Sequence, residues 1–553
     1  MFAEPFFGSC EMVKTAAKST GLRYWMLRVL EECDNVATDF RADPVHDLRV
    51  SLRRCRSLAD GMKAMDPDRD WKAMKKAGKK LFQSLGSLRD VQIMMEWVDK
   101  LQFARAGVER ESAAESPVSP GSEANFIAVD PAPGPEPAQD PAATLLHILT
   151  ERESEQKQMA RVALEEFDRK QWRQWAKSLP ARAMRIRPGS AVFKHLALER
   201  WTTARELHAR ALRNRSQAGF HSLRIGIKRF RYIVENFLPE EHKRWGDDLK
   251  HMQDLLGEVH DLDVLWNTAI ACHIFPDPDS KQAWRTRIHG ERAKRIEEYR
   301  QQTTGSDSRW NAWRLSLPQG KQIQYLATKR MKLWARVLDP DFAHSERVAR
   351  LALELYDGLR TAGLFSGLFR NGAGTDARAS LYAAALLHDV GKVKGNKGHH
   401  KESLELIQQH GTPLGWNEET LARAATVARF HCGALPTRSH RHLRDLLPGE
   451  QKIIIRLAAI LRLANAFDAY HDGHIRKLKI ESSAVSAPDR GHGKNGFLRR
   501  PPVLGKDQAL VIAAEGYRDG TLTAQAVAAE RYLLETVLRR PVMVRALRGE
   551  ATR

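Results

Sequence analysis

Apolar residues recur at helical spacing over most of the chain and at strand spacing only near its end. Residues 11–105 and 143–304 read as amphipathic helices. Between them, residues 106–142 are dominated by Pro, Ala, Glu, Gly and Ser and nearly lack aromatics. That composition buries too little surface to fold, so a disordered insertion is expected there. A weaker break, QQTTGSDS at 301–308, marks a second boundary, and a new helical region opens near residue 320. In it, a helix beginning at His344 places Val348, Leu351, Ala352 and Leu355 on one face. A second, at 380–392, is apolar through Leu387 and carries Gly391 as its expected C-cap. A third, at 453–468, is apolar almost throughout and ends at Asp468. After residue 474, IRKLKIE, QALVIAAEG and PVMVRAL read as short strands around a helix at 525–539.

One pattern is written twice. HDLRVSLRRCR at 46–56 and HSLRIGIKRFR at 221–231 both follow a His with basic residues at offsets 3, 7, 8 and 10. On a helix turning about 100° per residue, offsets 0, 3, 7 and 10 share a sector about 80° wide. Apolar residues at offsets 2, 4 and 6 (Leu48, Val50, Leu52; Leu223, Ile225, Ile227) are expected to fill the core face. Gly86 of LGSLRD and Gly257 of LGEVHD then follow each His by 40 and 36 residues. This is an internal duplication. A single basic stripe would read as a solvated face; two with one pattern point to a shared polyanion.

The repeated His-x-x-Arg-x-x-x-(Lys/Arg)-Arg-x-Arg, each copy followed by Leu-Gly-x-x-x-Asp, resembles the CHAD domain, the conserved-histidine α-helical domain. The resemblance covers residues 1–304 and implies two pseudo-symmetric antiparallel helical bundles with a basic channel that binds inorganic polyphosphate. The residues it implicates are His46, Arg49, Arg53, Arg54, Arg56, His221, Arg224, Lys228, Arg229 and Arg231.

Composition narrows the partner. The net charge of +21 favours a polyanion but does not separate nucleic acid from polyphosphate. The charge is uneven: residues 106–150 carry one basic and seven acidic groups. The five cysteines are odd in number and lack metal-type spacing, so a reduced, cytosolic set is expected. No apolar run is long enough to span a membrane, and the N-terminal segment lacks signal-peptide character, so a cytoplasmic protein is expected, polyphosphate granules being one setting. WKAMKKAGKK (71–80) adds lysines at helical spacing, and His251 and His260 read as ordinary polar positions.

Chemistry is concentrated in the second helical region. His344, the adjacent His388 and Asp389, and Asp468 each fall at the end or edge of an apolar helix. Converging, they suit a divalent metal such as Mn, Fe, Zn or Mg. This ordered set is the H…HD…D pattern of the HD phosphohydrolase superfamily. Across 330–547 the chain looks more narrowly like the C-terminal HD-type domain of the exopolyphosphatase/guanosine-pentaphosphate phosphohydrolase family. In that family catalytic actin-like ATPase-type domains precede this part. Here the CHAD-like region stands in their place and no glycine-rich phosphate loops are evident, so the family's usual exopolyphosphatase site is not implied. Many of those relatives have lost the metal motif; this chain keeps all four positions.

A metal there would lower the pKa of bound water and neutralise phosphoryl charge, and two ions about 3.5–4 Å apart could hold attacking and leaving oxygens. A second ion finds ligands at His399 or His400, with His400 preferred, and at His431. Asp389 and Lys392 are the expected catalytic pair, and Lys397, Lys401, Arg429 and Arg462 are further cations for phosphate. Arg462 lies in an apolar helix and needs a partner, a carboxylate being the safer assignment. His440 and His442 read as a basic loop.

The expected protein is mainly α: two CHAD bundles (1–304), an all-α HD domain (320–474) and a small α+β C-terminal cap (475–553). Its expected function is polyphosphate binding with metal-dependent (Mn, Mg or Fe) phosphohydrolysis. Two alternatives stay open: a non-catalytic, granule-associated polyphosphate binder, and a nucleic-acid-binding protein. Against the second, only Phe230 and Tyr232 of the stripes could stack on bases.

Overall fold

The computed structural model describes residues 21–38, 40–112, 140–364, 373–481 and 509–547. It is mainly helical and divides into two compact units, Met1–Gly320 and Lys321–Arg553.

In the first unit, α1 (Leu22–Thr38), α2 (Ala42–Met62), α3 (Arg69–Ala77), α4 (Lys79–Ser112) and α5 (Pro141–Glu165) form one set. After α6 (Arg169–Ala183) comes a second: α7 (Ala191–Asn214), α8 (Gln217–Phe237), α9 (Pro239–Ala271) and α10 (Pro278–Thr303). The order repeats, because α1 packs on α2 and α4 on α5 just as α7 packs on α8 and α9 on α10. The repeats join through α2 against α8 and α4 against α9. Gly61 makes the first contact possible: a Cβ there would lie 2.2 Å from the Phe237 ring.

Helix starts follow local chemistry. Asp140 accepts from the Ala142 amide (3.1 Å) ahead of Pro141, and Ser216 Oγ accepts from the Gly219 amide (3.1 Å). Helix α4 continues to Ser112, past the expected start of the insertion at 106, because ARAGVERES still contains good helix formers. Residues 113–139 of the expected insertion lie outside the described residues, and its last three, 140–142, already form the cap and first turn of α5. The break at 301–308 does not end the unit. Helix α11 (Arg309–Leu315) follows it, burying Trp310 and Trp313 against Trp201, His208 and Phe230.

The second unit runs α12 (Lys321–Leu338), α13 (Phe342–Thr361), α14 (Ala373–Leu387), a 3-10 turn (Val390–Lys394), α15 (His399–His410), α16 (Glu418–Arg429) and α17 (Pro448–Phe467). Strands β1 (Lys477–Glu481), β2 (Leu510–Glu515) and β3 (Val542–Ala546) follow, with α18 (Leu522–Leu538) between the last two. The sheet order is β1-β2-β3; β1 pairs antiparallel with β2 (Lys477 opposite Glu515) and β3 parallel to it (Leu510 opposite Val542). The central strand is buried almost throughout, as a strand covered on both faces must be. This is the expected small α+β cap, and it shares its core with the helices: Leu478, Ile512, Val527, Leu534 and Val542 belong to the apolar cluster of Leu351, Leu387 and Leu463.

The end of α14 also differs from expectation. Helix α14 stops at Leu387, leaving His388 and Asp389 in the turn. Gly391 is not a C-cap but a buried residue of the 3-10 turn, crossed by α15. A Cβ there would meet the His399 carbonyl oxygen at 2.1 Å and the Ser403 nitrogen at 2.7 Å.

Candidate metal centre and a basic cluster

The repeated motif places its cations on the two helices that touch, α2 and α8. Arg49 and Arg53 from one copy and Arg224 and Lys228 from the other share one environment with Asp90 and Asp261, the acids of the two Leu-Gly motifs. Burial, then Arg224, Arg53 and Arg49, push the Lys228 amine down to about 7. Burial pushes Asp261 up to about 6 and raises Asp90, despite the cations beside them. Nε of Arg53, Arg224 and Arg231 is buried with no hydrogen-bond partner. The cluster therefore carries more positive charge and more donors than its own carboxylates compensate.

The rest of the expected stripe is divided among other contacts. Arg54 pairs with Glu235 of the other repeat, and Arg231 lies 3.6 Å from the same carboxylate. Arg56 turns inward, donating to the Lys75 carbonyl (3.0 Å), with Phe82 beneath it. Arg49 donates to the Leu85 carbonyl (2.8 Å) from the edge of the cluster. Arg229 and His46 are exposed. His221 lies 3.3 Å from His260, which borders the cluster; burial and Arg224 lower the pKa of His260 to about 4. Val50 is half-buried and Ile225 exposed, contrary to the expected core role, because offset 4 falls beside the basic sector. Available aromatic faces are partly taken: Arg53 covers Tyr232 and Arg54 covers Trp25.

In the second unit, four histidines converge on one carboxylate. Asp389 Oδ2 faces His388 Nε2 (3.4 Å) and His344 Nε2 (3.9 Å). Its Oδ1 faces His399 Nε2 (3.2 Å) and His431 Nε2 (3.6 Å). Each ring is fixed from behind through Nδ1: His388 by the Ala385 carbonyl (2.7 Å), His399 by Asn396 (2.7 Å), His431 by Ala428 (2.8 Å) and His344 by Asp468 (2.7 Å). A neutral ring whose Nδ1–H donates backwards presents an Nε2 lone pair forwards. His388 Nε2 is buried and has no hydrogen-bond partner.

Electrostatics match this geometry. Burial alone would raise the Asp389 carboxyl; His388, His399, His431 and Lys392 overcome it and hold it well below the usual carboxylate range. His399 is pushed up to about 10 by its bond to Asp389 and by Cys432. Burial lowers His388, and lowers His431 strongly. A preformed anion among lone pairs, with one histidine drawing in a proton, is an arrangement that a cation would satisfy. The two groups His344–His388–Asp389 and His399–His431–Cys432 each keep their ligand atoms within 4.8 Å of one another. The donor set therefore fits divalent metal.

Several residues take places other than those expected. Asp468 caps α17 from behind His344: Oδ2 holds His344 Nδ1 and accepts from Arg347 Nε (2.8 Å), while Oδ1 accepts from the Gly473 amide (3.1 Å). It thus holds the His344 ring and lies outside the two groups of candidate ligand atoms. His399, not His400, faces Asp389, because successive residues at the start of α15 point about 100° apart. His400 turns to Cys432 (3.5 Å). Lys392 rests on Asp389 Oδ2 at 2.5 Å. Arg462 does have the carboxylate partner expected of it, Glu530, and donates to the Phe430 and Gly433 carbonyls, so it is committed to structure. Arg429 is buried, and its Nε and Nη1 have no partner.

Cys432, Asn465 and Arg347 were missed. Asn465 Oδ1 lies 3.0 Å from His344 Nε2, and Asn465 sits one helical turn before Asp468, a spacing visible in the sequence. Cys432 follows His431 directly, but no second cysteine nearby marked it.

Residues 26–269 match the family model for the CHAD domain. Residues 327–492 match that for Ppx/GppA phosphatase, domain III. The chain thus carries a CHAD domain followed by a Ppx/GppA-type domain III. No curated protein matches it. The basic cluster lies within the CHAD match, and all the histidines around Asp389 lie within the other.

Proposed function

We propose that the protein binds inorganic polyphosphate through its CHAD domain and hydrolyses phosphoanhydrides at an HD-type metal centre in the second domain. One observation carries the catalytic half: four histidine Nε2 atoms surround Asp389 while every Nδ1 is held from behind. Hydrogen bonding at the remote nitrogen is how proteins prepare imidazole for metal.

His344 and His388 with Asp389 Oδ2 would hold one ion, and His399 and His431 with Oδ1 a second. Divalent metal bound there lowers the pKa of water and neutralises charge on a phosphoryl oxygen. The chain's own groups do the remainder. Asp468 fixes the His344 ring, and Lys392 keeps a positive charge on Asp389. In the CHAD domain, Arg53, Arg224 and Lys228 would take successive phosphates of a chain, raising its concentration near the second domain. No described helix is long and apolar enough to cross a membrane; the reading places the protein with cytoplasmic polyphosphate.

The test is phosphate release from long-chain polyphosphate with Mn or Mg added. Wild type should release phosphate and Asp389→Ala should not, while both bind polyphosphate equally. Equal release by the two proteins would refute the assignment.

A further inference from the structure

The two sides of Asp389 differ in chemistry. Facing Oδ2 are His344 and His388, with Asn465 Oδ1 close by: nitrogen and oxygen only. Facing Oδ1 are His399 and His431, and here the third member is sulfur, Cys432 Sγ, 3.8 Å from His399 Nε2.

The surroundings show that this sulfur is held in place. His431 and Cys432 occupy the turn after α16, and Arg462 donates to the carbonyls on both sides of that pair, Phe430 and Gly433 (3.2 Å each). Arg462 is itself buried and fixed by Glu530 from α18. With Nδ1 of both rings committed to backbone carbonyls, the Nε2 atoms of His399 and His431 approach to 3.0 Å, with Asp389 Oδ1 beside both. The Nε2 atoms of both rings and Cys432 Sγ thus lie within 4.8 Å of one another, with Asp389 Oδ1 beside the two nitrogens. Such a set of donors suits a cation placed among them.

We propose that Cys432 ligates the ion on the His399/His431 side of Asp389, making this half a thiolate-containing site for a borderline-soft divalent cation of the zinc type. This rests on reading Asp389 as the middle of a metal centre. Two nitrogens, one sulfur and one oxygen form a four-donor set suited to zinc, ferrous iron or cobalt. Magnesium and manganese, which prefer oxygen, fit only the opposite half. The centre is therefore asymmetric, and thiol-directed oxidants would act on one half alone.

The test titrates metal-stripped full-length protein with Co(II) and follows absorbance, comparing wild type, Cys432→Ser and Asp389→Ala. Wild type should show visible ligand-field bands together with a near-ultraviolet sulfur-to-cobalt charge-transfer band. Cys432→Ser should keep the visible bands, which also report an intact fold, and lose the charge-transfer band. Visible bands without a charge-transfer band in wild type would overturn the sulfur ligand and leave the metal centre standing. A charge-transfer band that survives in Cys432→Ser would overturn it equally. No cobalt bound by wild type, or binding unchanged in Asp389→Ala, would overturn the metal centre itself.

Discussion

Asp389 can serve two sets of histidines because it sits in a turn, where both carboxylate oxygens are approached from different elements. His344 comes from α13, His399 from α15 and His431 from the end of α16. Asp468 supports one of these rings without replacing it. Asp468→Ala should weaken metal affinity about 10–100-fold and leave the fold intact, as loss of such a supporting carboxylate typically does. Metal-competition titration checks this; an affinity change below twofold would mean the carboxylate does not orient His344. In the other unit, Lys228 is the titratable member of the cluster. Its pKa in the folded protein, about 7, lies below the ordinary lysine value, so the amine is charged below pH 7 and progressively neutral above it. A bound polyanion favours the charged form. Polyphosphate binding should then strengthen as pH falls through 7 and draw up to about one proton from solution near pH 7.5. Calorimetry in buffers of different ionisation enthalpy reads that proton, and Lys228→Arg should abolish its uptake.

At the scale of elements, the site depends on α15 crossing the turn at Gly391, where no side chain fits. Gly391→Ala would force the His399 carbonyl and the Ser403 amide away. It should destabilise the second unit by about 1–3 kcal/mol and cost metal binding on the His399 side, measured by denaturant unfolding and metal titration. Much of this arrangement was legible beforehand. His344, His388-Asp389 and Asp468 stand where apolar helical runs end, and the duplicated stripe fixed which helices would carry the cations. What was not legible depends on register and rotamer. Whether His399 or His400 faces the site depends on where α15 begins, and no residue in GNKGHH announces that start more strongly than its neighbour. Asp468 meets His344, but spacing along a chain does not say that its carboxylate lies behind the ring, at Nδ1. Cys432 lacked a paired cysteine, and its partners come from elsewhere in the chain. Gly391 looked like a cap because helices often end in glycine; its real constraint, contact with α15, is tertiary.

The whole molecule joins a binding domain rich in uncompensated cations to a domain with a buried carboxylate among histidines. The division of labour predicts two separable kinetic defects. In Arg53→Ala/Arg224→Ala, KM for long-chain polyphosphate should rise at least about tenfold with kcat retained, because each lost charge-assisted contact is worth about 1.5–3 kcal/mol. Hydrolysis of a chain too short to span the cluster should be unaffected. Asp389→Asn should lose kcat for every substrate and keep its affinity for long chains. The most direct measurement is therefore the initial rate of phosphate release against chain length and concentration, made side by side on wild type and these two variants. A KM defect confined to long chains in one variant and a kcat defect at all lengths in the other is the predicted result. No release by any protein, at any chain length, with the metal centre loaded, would contradict the account.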